Sequence, residues 1–544
     1  MAGACQRHSS PCAPGLPALH FAPSLGGTAR VVRPSNHEER TTNNALRHPS
    51  SRTFALLLAG LVLVAFGWSH YVTWTQFQAN RIFVADAGIF DHLCSSPWHG
   101  RWMMSPIHWH ADVTQFAVHF MPIVVLIAPF YLLADHILTY LAFQNAALVL
   151  AAVPLALWAR RLTGDGWVAL AIALLYLANH FTGSIHLANH IEAIGLVGMF
   201  TAFWARERRA VWPYIGGLLW ALSVKESYAV IVGLYGLHLA VESLRDRTLR
   251  PWAVWTLVAA AGWWLFAWAT IRLSGAEIMI ATEAQPLVRF ESMGDTHGAV
   301  FLYLVTHPVE TLGRIFRRPV FDMLLSGGLI ALADWRAVAL VVLGVGIYGV
   351  ADDALVRNLH YYYGYPGVVM LFYCTVRGAA RILAWGQTDR HGLPRTDTDD
   401  TNAGGGSGRR GGLVRGALIA LCVGVALVSL ALPTRTDGRR RVPYEVTEHH
   451  RLAAEVARQI PRDAPVAAQY ELFNKVPNRR VKLPMRLVFL DRVEYVFLDQ
   501  TVFPGDLVGP EKRAEREALF ARLASDEWAV DLEVDGYVVL RRAR

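Results

Sequence analysis

Of 544 residues, 53% are apolar and 17% charged, with 18 Trp and 24 Phe, and the mean hydropathy lies above zero. That balance excludes an ordinary soluble enzyme. The net charge of +8 is carried by Arg, with only four Lys in the chain, and because it falls between apolar runs it is a topology signal and not a nucleic-acid footprint.

Residues 1–53, rich in Pro, Ser, Asn, His and Arg and without an apolar h-region, read as a disordered cytoplasmic tail. A first span over 54–74 follows Arg47 and Arg52, so the positive-inside rule places residue 75 outside. The apolar stretch 119–134 is only about 15 residues long and carries Pro122 and Pro129, which predicts a re-entrant or interfacial segment. With that segment not spanning, Arg160 and Arg161, then Arg206, Arg208 and Arg209, then Arg245, Arg247 and Arg250, then Arg336, then Arg381 to Arg415 all face the cytoplasm. About eleven spans result: 54–74, 137–158, 166–180, 188–205, 211–223, 228–242, 252–272, 319–333, 337–351, 361–384 and 413–433. Residues 387–412 read as a flexible cytoplasmic linker. Residues 434–544 read as a small extracytoplasmic α/β domain, with an amphipathic helix through Leu452, Val456 and Ile460, strands at 465–469 and 495–498, a helix over 511–523 and a hairpin at Asp535-Gly536. The fold class is thus an all-α polytopic membrane protein with a C-terminal α/β domain. Cys5, Cys12, Cys94, Cys374 and Cys422 lack the close spacing of a disulfide framework or a zinc site.

This topology collects the ionisable residues on the outer side, where they imply a polar cavity. The first outer loop, 75–118, holds Asp86, Asp91, His92, His108, His110 and Asp112, and His119 opens the re-entrant segment. The second holds His180, His186, His190 and Glu192. A tight turn carries Lys225 and Glu226, and a later loop carries Asp352, Asp353, Arg357, Asn358 and His360 before Tyr361, Tyr362 and Tyr363. Asp86 reads either as a turn-capping residue or as a general base. His186 and His190, spaced i and i+4, suit either a metal or a plain structural role, and no third ligand is fixed by spacing. Lys225 and Glu226 read as a self-neutralising pair or as an anion site. The three tyrosines read most simply as an aromatic belt.

The segments Asp86-Ala87-Gly88-Ile89-Phe90-Asp91, His119-Phe120-Met121-Pro122, Ala128-Pro129-Phe130-Tyr131, His190-Ile191-Glu192 and Lys225-Glu226, with His360 and its tyrosines and the region from Pro465 to Asp499, resemble the bacterial membrane proteins called domain of unknown function 2079. Ser227 and His92 depart from that pattern. The family in turn resembles GT-C glycosyltransferases, which implies a GT-C-like domain over 54–386 and transfer of a sugar from a polyprenyl phosphate in the plasma membrane to an envelope glycan, lipid or protein. The resemblance implies Asp86 as catalytic base, with Asp91, His119, His190, Glu192, Lys225, Glu226, Arg357, His360 and Tyr361 around the substrate. Lys225, Arg357 or a divalent cation, Mg2+ or Mn2+, would meet the departing phosphate. The alternatives are a transporter or flippase, whose pathway requires polar residues at mid-membrane depth, and a non-catalytic envelope scaffold.

Overall fold

The computed structural model describes residues 49–83, 87–104, 114–275, 286–357, 359, 361–387, 406–431, 441–507 and 510–543. Asp86, His108, His110, Asp112, Asn358 and His360 lie outside the described residues, as do residues 1–48 of the expected tail and 388–405 of the expected linker. The remainder of that linker, 406–412, is the start of a helix.

Helix α1 (Ser51–Gln78) is capped by Ser50, whose hydroxyl accepts from the Thr53 N–H at 3.1 Å. Its 28 residues reach about 42 Å, more than a bilayer core requires. Beyond it come α2 (Ile89–Ser95) and, within the 119–134 stretch, α3 (Ile123–Ile127) and a 3-10 turn over Ala128–Leu132. These pieces span only about 15 Å, half the hydrocarbon thickness. Helices α4 (Ile137–Leu150) and α5 (Ala152–Thr163) run on as one apolar rod. Asp165 then caps α6 (Gly166–Ala178), and a bend of 46° leads into α7 (His180–Ala188).

Three short apolar helices follow: α8 (Gly195–Glu207), which is mostly buried, and α9 (Val211–Val224) and α10 (Tyr228–Glu242), which each expose one side. α8 and α9 touch backbone to backbone, because a Cβ on Gly198 would sit 2.6 Å from the Gly217 carbonyl oxygen, and one on Gly217 2.7 Å from that of Gly198. Small residues at such a crossing let dispersion act over the whole helix face. The rest of the helical region comprises α11 (Arg250–Leu273), α12 (His297–Thr306), α13 (Pro308–Ile315), α14 (Arg318–Ser326), α15 (Trp335–Gly349), α16 (Ala354–Arg357), α17 (Tyr365–Gln387) and α18 (Gly406–Ala431).

Among the described residues, six helical rods are long and apolar enough to cross a membrane, and seven if the bent α6–α7 pair counts as one. The expected span at 319–333 differs most. It is broken at Gly328 and Leu329, both with positive φ, so α14 stays short and the apolar rod runs from Ile330 to Gly349.

The C-terminal region is a five-stranded sheet ordered β2-β1-β3-β5-β4, from β1 (Val466–Ala468), β2 (Lys482–Pro484), β3 (Tyr495–Asp499), β4 (Trp528–Val534) and β5 (Tyr537–Arg542). β1 pairs in parallel with β2 and β3, and the β4–β5 hairpin closes antiparallel on β3. Asp535 and Gly536 both take positive φ at the hairpin turn, the conformation that an Asp-Gly pair adopts readily. Helices α19 (Glu448–Gln459) and α20 (Arg513–Leu523) complete the unit. It rests on the C-terminal end of α1. Asn474 donates to the Ile82 carbonyl at 2.7 Å, Lys475 to the Gln78 carbonyl at 3.2 Å, and Asn80 to the Tyr537 hydroxyl at 3.3 Å.

Candidate functional site

At the α1 terminus nearest the sheet, several helix ends converge on a buried polar group. α7 stops at Ala188 because Asn189 turns into the left-handed region, which leaves His190 extended and brings Glu192 onto a 3-10 turn. Glu192 is fully buried. One of its oxygens accepts from Lys225 Nζ at 2.8 Å, the other meets His190 Nδ1, and its carbonyl accepts from the Tyr228 hydroxyl at 2.6 Å. Lys225 is held in the extended step between α9 and α10. Its neighbour Glu226 turns elsewhere, to His119 Nδ1 at 2.7 Å and the Phe120 N–H at 3.0 Å. The expected Lys225–Glu226 pair is therefore corrected: Lys225 is extended while Glu226 lies in the turn that opens α10, and each side chain finds a separate partner.

His190 lies flat on Tyr362, with ring centroids 3.7 Å apart and planes 5° apart. The Tyr362 hydroxyl donates to that of Tyr363 at 2.7 Å, which also accepts from Arg289 at 2.7 Å. Tyr361, Tyr362 and Tyr363 are all buried, so they form an inner wall and not a belt at the headgroup level. The His186–His190 chelate is corrected as well. His186 remains in α7 and bonds the Thr73 hydroxyl at 3.0 Å, while the helix ends before His190. Among the described residues, no three His, Cys, Asp or Glu side chains form a metal-binding set.

Asp91 belongs to a different arrangement. Phe90 packs edge-on against His190 at 4.9 Å, but the next residue faces the sheet unit. There the buried Asp91 carboxylate accepts from Tyr131 at 2.9 Å, Asn478 at 3.1 Å and Lys482 Nζ at 3.2 Å. Burial lowers the Lys482 pKa against the opposing pull of Asp91. Helix α2 is thus a joint between the Glu192 cluster and the C-terminal unit. Arg357 stands apart again, in a cavity of about 320 Å³ lined by Glu310, Gly313, Arg314, Arg317 and Asp352.

A second charged group occupies the far ends of the same helices. Arg377, about 18 Å along α17 from Tyr365, pairs with Asp334 and Glu242, and Arg381 reaches Asp334 at 2.8 Å. Arg160 bonds Ser51, Arg161 bonds the Glu207 carbonyl and Arg415 pairs with Asp165 at that same end. The expectation that ionisable groups gather at one face, with the inner Arg clusters as topology signals alone, is corrected, because Arg377, Arg381 and Arg415 make specific ion pairs.

Sequence reasoning missed Tyr228, Arg289, Lys482, Asn478 and Arg317, and it read Tyr362 only as part of an aromatic belt. One signal was present. Three of only four Lys, namely Lys225, Lys475 and Lys482, are buried in polar contacts, and a residue so rare in an Arg-rich chain marks positions where a compact, shiftable cation is required.

Membrane-length helices and a buried ionisable cluster define a polytopic membrane protein with a small α/β unit. Residues 85–539 match the family described as "Predicted membrane protein (DUF2079)", and the chain belongs to it. Among curated proteins, none matches the chain. Among solved structures, the chain is similar to an oligosaccharyltransferase of Archaeoglobus fulgidus in its apo form, at 10% identity over 81% of this chain and 69% of that one, with a TM-score of 0.36.

Proposed function

We propose that the chain is an integral membrane glycosyltransferase that moves a sugar from a polyprenyl-phosphate donor to an envelope acceptor at the outer face of the bacterial plasma membrane. The observation that carries the reading is the edge-on contact of Phe90, four residues after Asp86, with His190 of the Glu192–Lys225–His190 group, beside which Glu226 holds His119. Positive-inside placement supports the orientation, because the arginines at the Arg377 end would face the cytoplasm and the C-terminal unit would lie outside. In this reading 1–53 is a cytoplasmic tail, 54–386 the transferase domain, 387–412 a cytoplasmic linker, 413–433 the last span and 434–544 the extracytoplasmic domain.

Asp86 accepts the proton of the acceptor hydroxyl as its oxygen attacks the anomeric carbon. The carbon–oxygen bond to the phosphate breaks, its electron pair leaves with the phosphate, and the configuration inverts. Glu192 and Glu226 accept hydrogen bonds from sugar hydroxyls, His119 and His190 donate or accept as their tautomers require, and Tyr362 gives the sugar an aromatic face. Lys225 keeps Glu192 ionised, a role different from the expected phosphate contact, since its charge is already matched within the cluster.

The bend between α6 and α7 is the feature that favours a transporter or flippase, because broken helices line transport pathways. Here side chains close the break: Asn179 caps α7 and donates to the Ser326 hydroxyl at 3.0 Å, and His186 holds Thr73. The test is Asp86→Asn assayed with radiolabelled polyprenyl-phosphate sugars. Turnover should fall by about 10² to 10⁴ with donor binding retained. Near-normal transfer by the variant would remove Asp86 from the chemistry. Cysteine labelling of positions 390–410 from outside the cell would overturn the orientation.

A further inference from the structure

The cavity beside Arg357 has a charge arrangement unlike that of the Glu192 cluster. Around Glu192, the fixed charges of Lys225, Glu192 and Glu226 leave an excess of one negative charge, a poor environment for a phosphate. The cavity carries three arginines against Glu310 and Asp352. Arg314 is saturated: its five N–H groups go to Glu310, Asp352, Ser292 and the Val350 carbonyl, at 2.9 to 3.3 Å. It forms a rigid floor. Arg357 uses one N–H on the Ala351 carbonyl at 3.4 Å. Arg317 is exposed, and its guanidinium makes no hydrogen bond or ion pair with the described residues. Two guanidinium forks therefore face one cavity with most of their donors free.

The setting is a membrane surface. On α13 and just beyond it, Val309, Leu312 and Phe316 are exposed on one side, whereas Glu310, Arg314 and Arg317 recur on the other. Such a division suits the interfacial plane of a membrane, which would set the arginines at headgroup depth. The cavity also adjoins the candidate site, since the Asp352 N–H donates to the Arg289 carbonyl at 2.8 Å and Arg289 holds Tyr363, next to the tyrosine stacked on His190.

We propose that Arg317 and Arg357 form a clamp for the phosphate group of a membrane lipid, on the floor made by Arg314. Each fork presents paired N–H donors to the phosphate oxygens, and the apolar face of α13 lies beside the lipid tail. The consequence for catalysis rests on the transferase reading: the clamp would hold the donor's phosphate and stabilise its charge on departure. The binding itself does not depend on that reading.

The experiment is native mass spectrometry of the full chain titrated with undecaprenyl phosphate, dioleoyl phosphatidylglycerol, dioleoylglycerol and inorganic phosphate. The two phosphate lipids should bind at least about tenfold more tightly than dioleoylglycerol. Arg317→Gln and Arg357→Gln should each weaken them by about tenfold or more, with Arg317→Lys retaining part of the affinity. Tighter binding of undecaprenyl phosphate than of phosphatidylglycerol assigns the clamp to the donor; equal binding assigns it to bulk anionic lipid, and both uphold it. Unchanged binding by both Gln variants, or equal binding of dioleoylglycerol or inorganic phosphate, would overturn it. Clamp loss in the variants without transfer by the native chain would retire the transferase reading alone. Transfer that needs Asp86 but survives both Gln substitutions with binding unchanged would retire the clamp alone.

Discussion

The two ends of the helical region bury charge in contrasting ways. At the Arg377 end, Asp334 and Glu242 are met by Arg377 and Arg381, so the carboxylates and guanidiniums balance. Arginine stays protonated at any working pH and offers a fixed fork, which makes this group a permanent lock. At the Lys225 end, two carboxylates share one Lys and two His, and His190 lies against a tyrosine ring. A histidine ring donates or accepts according to its tautomer, and a lysine has freely rotating donors. The same helices thus carry a lock at one end and an adjustable site at the other.

The largest stability effect should come from opening the lock. Asp334→Ala leaves two guanidiniums facing a buried void, and unfolding in detergent should show a loss of about 3 to 5 kcal/mol. A loss below about 1 kcal/mol would show that the network is solvated and no lock. Glu192→Gln preserves shape at the other end but strands Lys225; it should destabilise by a comparable or smaller amount, about 2 to 4 kcal/mol, and Lys225→Met in the same chain should recover part of it. Failure of the second change to recover anything would separate the two residues energetically.

Between these ends and the sheet unit, the Asp91–Lys482 contact is accessible to a double-mutant cycle. Asp91→Asn with Lys482→Met should give a coupling of about 0.5 to 3 kcal/mol, with protease cleavage near 441–447 increased in each single variant. Additive effects would mean that the unit is held by other contacts.

The smallest effect is one of pH. Burial opposes protonation of His449, but its hydrogen bonds to Asp499 at 2.9 Å and Asp535 at 2.8 Å outweigh that and raise its pKa. Its contribution is therefore complete below about 6.5, the unfolded value, and is lost as pH rises through the raised folded value. Lys475 behaves in the opposite sense. Burial pushes it down to about 8, so the unfolded chain binds more protons between there and about 10.4, and stability from this residue rises with pH across that window. The Tm of the C-terminal unit should fall above pH 6.5 and recover in part above pH 8. His449→Gln should remove the fall, and Lys475→Met the recovery.

How much of the site was legible depends on the kind of contact. His190, Glu192, Lys225, Glu226 and His119 were recognisable as polar residues at helix ends, because an ionisable group next to an apolar run has few places to go. Their pairing was not. Lys225 chose Glu192, 33 positions away, over its own neighbour, a choice made by the crossing of α9 with the 3-10 turn after His190. Asp91 appeared in the same loop as Asp86, yet a helix turned it toward Lys482, 391 positions away.

By itself, the sequence determined the class: apolar run length, charge placement and the Asp-Gly hairpin are local properties that act through the bilayer and through backbone sterics. It also determined which residues are too costly to bury alone. Only the tertiary structure decided which charge neutralises which, that the 319–333 run breaks at Gly328, and that three arginines meet at one cavity. Coulombic and hydrogen-bond partners are chosen across space after the helices pack, and no local pattern encodes a distance between residues hundreds of positions apart.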